Sequence, residues 1–483
     1  MIREKDLAVL AAALDNACGR QPESDTVIRG ITEDTRHLSP GDLFVAIPGT
    51  HRDGASYAEA AVGLGAAAVV CEHELDLEVP VLRVSDARLA LAQLAAAFYD
   101  HPTRSLFCIG VTGTNGKTTI CHWIAHLLGA ESCALVGTVA NESHGLRGLT
   151  TPPGSILHRI ARDAVDEGKQ TLVIEASSIG LAQERLHGIA FDIAAFSNLA
   201  SDHLDWHPSP ASYLEAKLRL FRQVKADGSA VVNADDPAAE AVASAASGRV
   251  VRVGLRGSRD LRATNWRFGP QGTHARFHWN GEEASVCIPA PGAHNVENAL
   301  VAVGTALCAG RSLQALSERL ATAPPVSGRW EVYRRDPDGL QAVVDFAHNA
   351  AGLRRMLAEL RDAAENLVVV FGCPGGTDTD KRKAMGETAG SLANLTIVTS
   401  DNPKNEEFEA IACDIASGLR SVNAAYRAVA DRATAIEEAV RAAKAGDVIL
   451  IAGKGHETYQ IVRGEYRPHE DGRILEALGF SRE

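Results

Sequence analysis

The sequence predicts an α/β protein of three domains. These are a small N-terminal α/β domain, a central domain with a P-loop-type phosphate-binding loop and a mostly parallel sheet, and a C-terminal Rossmann-like α/β domain. The 483 residues exceed the usual size of one domain. Apolar runs of strand length alternate with helical stretches, which is typical of parallel sheets wound by helices. We predict domains at 1–100, 101–327 and 328–483.

The first hundred residues predict the small α/β domain. An Ala-rich helical stretch separates short runs of strand-like residues. Its three strand-like runs are GDLFVAIPG, AAAVVCE and VPVLRVSD. The stretch His101-Pro102-Thr103 then suits a linker, because proline interrupts regular structure.

Two longer segments repeat the alternation of strands and helices. The central segment contains the strand-like runs LFCIGVTG, TLVIEASS, DIAAFSNL and GSAVVNADD. After the boundary APPVSG, the last segment contains QAVVDFAH, NLVVVFGC, LTIVTSDN and DVILIAGKG. Most of these runs end in a polar or Gly-rich loop. Since ligands of such sheets bind at the carboxyl ends of the strands, we expect the site in these loops.

Composition limits the classes of function. Acidic residues outnumber basic ones, 61 to 48, and the net charge of −13 argues against a general nucleic-acid binder. Nine dispersed cysteines without a Cys-x-x-Cys spacing indicate reduced thiols rather than disulfides or a zinc site. No apolar run reaches membrane-spanning length, and the N-terminus lacks signal-peptide features. We therefore expect a cytoplasmic protein without a nucleic-acid partner or membrane insertion.

The stretch VTGTNGKTT, residues 111–119, predicts a phosphate-binding loop between a strand and a helix. Its glycines allow backbone N–H groups to face phosphate oxygens at a helix N-terminus. Lys117 can reach the β- and γ-phosphates, and Thr118 can place its hydroxyl on Mg²⁺. The usual pattern needs glycine where Val111 stands, so a Gly-rich turn with a solvated lysine is the alternative.

A second cluster of polar residues lies at 174–221. Glu175 closes an apolar strand, and a run containing His203 and Asp205 follows another strand. A carboxylate and an imidazole at adjacent strand ends suit Mg²⁺ that is bound mainly through phosphate and water. In the alternative interpretation His203 and Asp205 cap the next helix, and Lys217 is an exposed helix lysine.

Several motifs occur together in an order that resembles the Mur ligases, ATP-dependent enzymes that form amide bonds in peptidoglycan precursor synthesis. The motifs are TGTNGKTT, EASS, NLASDHLD, YLEAKLRLF, GAHNVENALVA, GRWE, DFAH, DNPK and GKGHE. The N-terminal run DTRHLSPGDLFVAIPGTHRDG resembles the uridine-nucleotide domain of the branch that adds the third peptide residue. The phosphate loop of this family lacks the extra glycine, so the departure at Val111 is a family trait.

The resemblance implies that ATP and Mg²⁺ serve to join meso-diaminopimelate to the D-Glu carboxylate of UDP-N-acetylmuramoyl-L-Ala-D-Glu through an acyl phosphate. It implies catalytic roles for Lys117, Glu175, His203 and Lys217, with a CO₂-derived carbamate on Lys217. It places the metal on Thr118, Glu175, His203 and Lys217. The ATP site implied by the resemblance consists of Gly113, Thr114, Asn115, Gly116, Lys117, Thr118, Thr119, Asn295, Asn298, Arg329, Asp345 and His348. We expect the enzyme to be a monomer.

The resemblance also assigns the other two substrates. The UDP-sugar-dipeptide is assigned to Thr35, Arg36, Thr150, Thr151, Ser177, Gln183 and Arg185. The amino acid is assigned to Arg382, Asp401, Asn402, Pro403, Lys404, Gly453 and Glu457. In the diaminopimelate-adding branch an arginine stands where this chain has Lys404. Lysine retains the charge but lacks the planar fork of arginine, so a side chain that bears a carboxylate is still favoured.

The chain departs from the family pattern at several positions. The proline that usually follows the histidine motif at His348 is absent, and the loop at 373–380 is altered. Pro153 stands where an acidic residue is common, and Ser201 stands where arginine is usual. The alternative is therefore a divergent Mur-ligase paralogue that adds L-lysine or another amino acid to a related carboxylate substrate. A ligase that joins other partners and a non-catalytic ATP-binding protein are further alternatives.

Overall fold

The computed structural model describes residues 3–18, 25–49, 52–269, 272–336, 338–361 and 364–483. It confirms the α/β class, with three main sheets of four, nine and seven strands and helices packed on them. Each of the three sheets lies within one of the predicted ranges. The domain boundaries at 100 and 327 themselves stay a prediction.

The first sheet is a four-stranded parallel sheet with strand order β3-β4-β5-β6. The elements of this part are β1 (Lys5–Asp6), α1 (Leu7–Ala11), β2 (Val27–Ile28), β3 (Gly30–Thr32), β4 (Asp42–Val45), α2 (Ala58–Gly63), β5 (Ala68–Cys71), β6 (Val81–Arg83) and α3 (Ala87–Phe98). All residues of β4 and β5 are buried, as expected for central strands of a parallel sheet.

The central sheet has nine strands in the order β15-β14-β13-β12-β11-β10-β7-β9-β8. Its first elements are β7 (Phe107–Thr112), α4 (Lys117–Leu128), β8 (Cys133–Val136), α5 (Gly154–Asp166), β9 (Thr171–Glu175), α6 (Ser178–Ala182), β10 (Phe191–Phe196) and α7 (Pro210–Arg222). The others are β11 (Val224–Asn233), α8 (Ala239–Ala245), β12 (Arg249–Gly254), β13 (Leu261–Gly269), β14 (Gly272–Trp279), β15 (Glu282–Ile288), α9 (Ala293–Cys308) and α10 (Leu313–Leu320). Strands β13 to β15 pair in antiparallel fashion and extend an otherwise parallel sheet.

The third sheet has seven strands in the order β20-β19-β18-β21-β17-β16-β24. Its elements begin with β16 (Glu331–Arg335), β17 (Leu340–Asp345), α11 (Ala350–Arg361), β18 (Leu367–Phe371), α12 (Asp380–Leu392), β19 (Leu395–Val398), α13 (Phe408–Ser421) and β20 (Tyr426–Ala428). They continue with α14 (Arg432–Ala442), β21 (Val448–Ala452), the hairpin β22 (Tyr459–Val462) and β23 (Glu465–Pro468), α15 (Asp471–Ala477) and β24 (Ser481–Arg482).

The topology brings the loops that follow β7, β9 and β10 together, because these strands are parallel neighbours. Loops that follow β17, β19 and β21 approach them from the third sheet and line the same cavity. Among the described residues, no helix has the length and apolar character needed to cross a membrane.

Candidate functional site

The phosphate loop connects β7 to α4 with the backbone that the sequence predicts. Gly116 precedes the helix at φ +87°, a conformation that side chains rarely adopt. A Cβ at this position would lie 2.3 Å from Oδ1 of Asn298 on α9. The loop is fixed from below, since Thr114 N donates to Asn198 O at 2.8 Å and Ser197 Oγ donates to Asn115 O at 2.7 Å. The Gly-rich turn is therefore a loop at a helix N-terminus whose conformation is held by hydrogen bonds to the segment after β10.

Two side chains of the loop and helix face the phosphate position. Lys117 Nζ donates to the carbonyls of Gly113 and Thr114, each at 3.0 Å. Thr118 Oγ1 donates to Oε2 of Glu175 at 3.1 Å. Glu175 is only 1% exposed, and burial raises the pKa of its carboxyl group. A buried carboxylate beside a hydroxyl is a donor set that fits Mg²⁺, which takes oxygen ligands.

Lys217 lies beneath the phosphate loop, on the buried face of α7. Its side chain is 1% exposed, and its Nζ donates to Gly113 O at 2.9 Å and lies 4.4 Å from the ring centroid of Tyr213. Burial, and then the charge of Lys117, holds the pKa of the Lys217 amine well below its usual range. The interpretation of Lys217 as an exposed helix lysine is therefore wrong.

His203 lies in the loop after β10 and lines the cavity described below, with 43% of its side chain exposed. It adopts φ +55°, and its neighbour Asp202 is 2% exposed. Ser209 caps α7 through a capping box with Ser212, so His203 and Asp205 are not the caps of that helix. In the described part of the chain, no group of three or more His, Cys, Asp and Glu side chains could hold a metal ion.

One cavity of about 770 Å³ joins the phosphate loop to the loops of the third sheet. It brings together twenty of the predicted site residues. From the central part these are Thr114, Asn115, Gly116, Lys117, Thr118, Thr119, Thr150, Glu175, Ser177, His203, Asn295 and Asn298. From the C-terminal part they are Arg329, Asp345, His348, Asp401, Asn402, Lys404, Gly453 and Glu457. The volume is in the range of sites for cofactors and small substrates.

Arg329 links the two parts of the cavity. Its Nη2 donates to Thr118 Oγ1 at 3.1 Å, and its guanidinium carbon lies 4.5 Å from the ring centroid of Phe346. Asp345 accepts hydrogen bonds from Trp330 N at 2.9 Å and Ala347 N at 2.8 Å, which fix the loop around it. Burial raises the pKa of Asp345, and the nearby Arg329 charge opposes that rise.

Helix α9 carries Asn295 and Asn298, two of the residues assigned to ATP. Asn298 Nδ2 donates to Asn295 Oδ1 at 3.1 Å, and Asn295 Nδ2 donates to Pro291 O at 2.7 Å. Both asparagines lie inside the helix and are less than 10% exposed. Asn295 is therefore not a helix cap.

The predicted amino-acid pocket lies in the loops that follow β19 and β21. Asn402 Nδ2 donates to Glu457 Oε2 at 2.8 Å, and the buried Lys454 ammonium contacts the same carboxylate oxygen at 2.6 Å. Lys404 adopts φ +55°, and its backbone N donates to Ile461 O at 2.9 Å. Within the described residues the Lys404 ammonium makes no ion pair, so its charge is available to a ligand.

The structure does not bring every predicted residue to the cavity wall. Gly113 and Thr151 lie directly behind it, in contact with wall residues, and Lys217 contacts Gly113. The remaining predicted residues outside the wall are Thr35, Arg36, Gln183, Arg185, Arg382 and Pro403. The Arg382 guanidinium is buried against Glu406, with two contacts of 2.7 Å, and against Asp414 at 2.9 Å. In this structure Arg382 anchors the loop after β19 and does not face the cavity.

The residues assigned to the UDP-sugar-dipeptide form two groups. Thr151 Oγ1 lies 2.9 Å from Ser177 Oγ, and the Arg185 guanidinium donates to Thr151 O and to Gln183 Oε1. These contacts connect Arg185 to the edge of the cavity. Arg36 lies apart in the N-terminal part, where its guanidinium is 84% exposed and pairs with Asp34.

Comparison with known proteins identifies the family. The model of the Mur ligase family catalytic domain matches residues 27–99, that of the Mur ligase middle domain matches 111–306, and that of the glutamate ligase domain matches 328–455. The UDP-N-acetylmuramoyl-L-alanyl-D-glutamate–2,6-diaminopimelate ligase of Gloeobacter violaceus is 40% identical over 457 residues, with 93% of each chain covered. The chain belongs to the Mur ligase family.

Other relatives agree with this assignment. The ligase of the same name from Chlorobaculum tepidum is 41% identical over 472 residues and covers 93% of this Mur ligase and 92% of its own length. A solved structure of such a diaminopimelate ligase is 31% identical, with a TM-score of 0.64 and coverage of 95% and 96%. The MurF ligase of Thermotoga maritima in complex with ADP shares the fold at 20% identity, with a TM-score of 0.66 and coverage of 90% and 96%.

One residue that sequence reasoning did not select, Asn349, connects the sheets of this Mur ligase. Asn349 is fully buried, and its Nδ2 donates to Asp202 Oδ2 at 3.0 Å and to Asn115 Oδ1 at 3.2 Å. The absence of a proline after His348 marked this loop as unusual in the sequence. It did not indicate which residues Asn349 would contact. A signal was present, since asparagine directly before a helical run is a common N-cap.

Proposed function

We propose that this Mur ligase, an ATP-dependent amide-bond-forming enzyme, joins meso-diaminopimelate to the D-Glu carboxylate of UDP-N-acetylmuramoyl-L-Ala-D-Glu. The observation that supports this most directly is the shared cavity, which is lined by the phosphate loop and Glu175 and also by Lys404 and Glu457. The names of the relatives with 40% and 41% identity support the same substrates. We also propose a cytoplasmic, monomeric enzyme.

The first step activates a carboxylate that is otherwise a poor electrophile. A carboxylate oxygen of the substrate bonds to the γ-phosphorus of ATP, the bond to the β,γ-bridging oxygen breaks, and ADP leaves. Lys117 and the loop amides would hold the β- and γ-phosphates in line, and Arg329 would neutralise charge from the other side. Magnesium, held by Thr118 and Glu175 together with phosphate oxygens, would supply further positive charge.

The second step forms the amide. The neutral amino nitrogen attacks the acyl carbon, the bond from that carbon to the phosphate oxygen breaks, and inorganic phosphate leaves with the bonding electrons. The amine loses a proton as the amide forms. Because the nucleotide loop and the predicted amine pocket line one cavity, the acyl phosphate and the amine can meet without leaving the enzyme.

Lys217 is the group for which we propose a covalent modification. Its amine is buried, and burial lowers its pKa, which favours the neutral form that can act as a nucleophile. Addition of the nitrogen to the carbon of CO₂, with loss of one proton, gives a carbamate that carries a negative charge. Such a group beside the phosphate loop would attract a cation, whereas an ammonium would repel it. With His203, it would complete a second magnesium site.

The amine pocket favours a side chain that bears both an ammonium and a carboxylate. Glu457 would pair with the distal ammonium and Lys404 with the distal carboxylate. L-lysine has the ammonium alone, so the Lys404 charge would oppose rather than aid its binding. Thr150, Thr151, Ser177 and Arg185 would hold the muramoyl-dipeptide, and Thr35 and Arg36 the uridine end.

The test is phosphate release by the full-length protein with ATP, Mg²⁺, UDP-muramoyl-dipeptide and a panel of amino acids. We expect release that requires meso-diaminopimelate and is weak or absent with L-lysine. Equal activity with L-lysine would instead support the paralogue that adds another amino acid, and activity without the UDP-sugar would contradict the role of the N-terminal domain. A lack of turnover with every panel member would contradict the proposed enzyme.

A further inference from the structure

Asn349 occupies a fully buried position between the loop before α11 and the central sheet. It belongs to the C-terminal part of the chain, yet two of its contacts are with residues 147 and 234 positions earlier. The first is Asp202, which is 2% exposed, and the second is Asn115 of the phosphate loop. A polar side chain buried to this degree has to satisfy its hydrogen bonds within the protein.

The orientation of the Asn349 amide follows from its three partners. Its Oδ1 accepts from Gly352 N at 2.8 Å, and its Nδ2 donates to Asp202 at 3.0 Å and to Asn115 Oδ1 at 3.2 Å. Exchanging oxygen and nitrogen would place Oδ1 against the Asp202 carboxylate and Nδ2 against an N–H group. Only one orientation is therefore compatible with the site.

The neighbouring His348 strengthens the same contact. Its Nε2 lies 3.5 Å from Asp202 Oδ2. Asp202 is thus a carboxylate acceptor that two consecutive residues of the C-terminal part contact.

Asn115 is the last residue in this series of contacts and the one that lies beside the predicted nucleotide site. Its Oδ1 is occupied by Asn349, while its Nδ2 is buried and has no hydrogen-bond partner within the described residues. Asn115 lines the cavity beside Lys117. A donor held at a phosphate-binding loop without an acceptor matches a ligand that supplies oxygen atoms.

We infer that Asn349 is a positioning residue of the nucleotide site: it fixes Asp202 and orients the Asn115 amide so that Asn115 Nδ2 donates to a phosphate oxygen. The contact places the C-terminal part of the chain against the loop that binds the nucleotide. Nucleotide affinity therefore depends on a residue that does not touch the nucleotide. The inference rests on the nucleotide site of the proposed function and not on the identity of the amine.

The substitution Asn349→Asp separates this role from helix capping. Aspartate retains the oxygen that accepts from Gly352 N, but it loses both donors and places a carboxylate beside Asp202. We expect the dissociation constant of a non-hydrolysable ATP analogue with Mg²⁺ to rise about tenfold to a hundredfold, as for loss of an oriented hydrogen bond to a charged group. The KM for ATP should rise similarly, and the KM for the amino acid should change less.

A second variant removes the repulsion between the two carboxylates. In the pair Asn349→Asp with Asp202→Asn, residue 202 can donate to residue 349, but Asn115 still lacks its donor. We expect thermal stability to recover and nucleotide affinity to stay low. Recovery of affinity in this pair would overturn the inference, because it would assign the whole effect to the contact with Asp202. The pair also provides the test if Asn349→Asp alone does not fold.

Binding of the analogue is measured by calorimetry on the full-length protein, so the result does not depend on turnover. If Asn349→Asp binds the analogue as wild type does, the inference is wrong even when the proposed reaction is observed. If wild type binds the analogue but releases no phosphate with any substrate, the proposed function fails while the effect of Asn349→Asp can still be measured. The control Asn280→Asp, in the turn between β14 and β15, should bind the analogue normally.

Discussion

At the scale of single residues, the site depends on charged groups that the fold keeps out of water. Glu175 and Lys217 are each 1% exposed. Burial raises the pKa of Glu175 and lowers that of Lys217, and both shifts favour the neutral form of the group. Such groups destabilise the folded protein when they have no ligand, and they are favoured when a ligand or modification supplies the opposite charge. The buried charges of this Mur ligase are therefore best explained by ligands.

Replacement of Lys217 should separate stability from activity. We expect Lys217→Met to abolish phosphate release while it raises the melting temperature, because it removes a buried amine. In wild type the lowered pKa destabilises the folded state at pH values below the usual lysine pKa, increasingly so down to the folded pKa. The gain in Lys217→Met should therefore be larger at pH 6 than at pH 9. Differential scanning calorimetry of both proteins in CO₂-depleted buffer measures this difference in melting temperature.

The smaller variant Lys217→Ala tests the carbamate. Short carboxylates such as acetate should partly restore its activity by occupying the position of the carbamate. Wild type in CO₂-depleted buffer should lose activity and regain it on addition of bicarbonate. Full activity of Lys217→Ala without any added carboxylate would remove the proposed role.

Replacement of Lys404 tests which amino acid the pocket selects. Lys404→Met removes the only charge that we assign to the distal carboxylate, so KM for meso-diaminopimelate should rise about tenfold or more. KM values for ATP and the UDP-sugar should change little. Lys404→Arg should retain the affinity, since it retains the charge and adds a planar fork. Steady-state kinetics of the wild type and the two variants measure these KM values. An unchanged KM for meso-diaminopimelate in Lys404→Met would show that Lys404 does not bind the distal carboxylate.

At the scale of elements, the sequence predicted the buried parallel strands well and the antiparallel extension not at all. The strands β7, β9 and β21 are continuous apolar runs, which mark strands that are covered on both faces. By contrast, β13 carries polar and aromatic residues without a regular alternation, and a bulge near Asn265 interrupts its pairing with β14. Its place in the sheet depends on its partner strand and not on its own pattern.

The loop between β7 and α4 has a sharp structural requirement at Gly116. An added methyl group would overlap Asn298 Oδ1, and alanine is strained at φ +87°. We expect Gly116→Ala to lose nucleotide binding and to lower the melting temperature. Gly168→Ala is the matched control, because Gly168 has φ +76° with no heavy atom within 4 Å of the added Cβ. Similar effects of both variants on nucleotide binding, measured by calorimetry, would show that backbone strain alone is responsible.

The loop after β19 is held by an ion pair that should respond to acid. Hydrogen bonds from Arg382 lower the pKa of Glu406 to about 2. A lowered carboxyl pKa stabilises the folded state above the ordinary value near 4.5, and this contribution is lost as the pH falls from about 4.5 to about 2.

The variant Glu406→Gln should therefore lose less stability than wild type over this pH range. Melting temperatures recorded between pH 5 and pH 2.5 provide the measurement. Glu465→Gln serves as the control, because Glu465 is 72% exposed and pairs with the exposed Arg467. If the melting temperatures of Glu406→Gln fell with pH as steeply as those of wild type, the pair of Arg382 and Glu406 would not be the source of the acid sensitivity.

At the scale of the whole molecule, contacts between distant segments build the site from motifs that the sequence shows separately. Local patterns predicted the phosphate loop, because its glycines, lysine and threonine lie within six residues of the sequence, 113–118. They could not identify the contact of Asn349 with Asp202, which are 147 residues apart, or the burial of Arg382 against Glu406. Such contacts depend on how the sheets pack on each other, and no local periodicity encodes that packing.

Arg329 offers a test of how nucleotide binding joins the central and C-terminal sheets. Its guanidinium reaches from the C-terminal part to Thr118 at 3.1 Å. A ligand at 100 times its dissociation constant stabilises a protein by about 2.7 kcal/mol, and a tenfold loss of affinity reduces this to about 1.4 kcal/mol. We expect Arg329→Met to show this reduction at a fixed concentration of Mg-ATP, since it loses both charge and a contact across the cavity.

The appropriate control is Arg334→Met, which lies on β16 and removes an exposed ion pair with Glu483. Exposed pairs contribute little to stability, so this variant should retain the full ATP-induced shift. Thermal unfolding with and without Mg-ATP measures both variants. Because the Arg329 charge opposes the burial-driven rise in the pKa of the Asp345 and Glu175 carboxyl groups, its removal should also lower the stability of the unliganded protein, so the ATP-induced shift is the quantity that reports nucleotide binding. An equal loss of stability with and without ATP would mean that Arg329 supports the fold rather than the liganded arrangement of the two sheets.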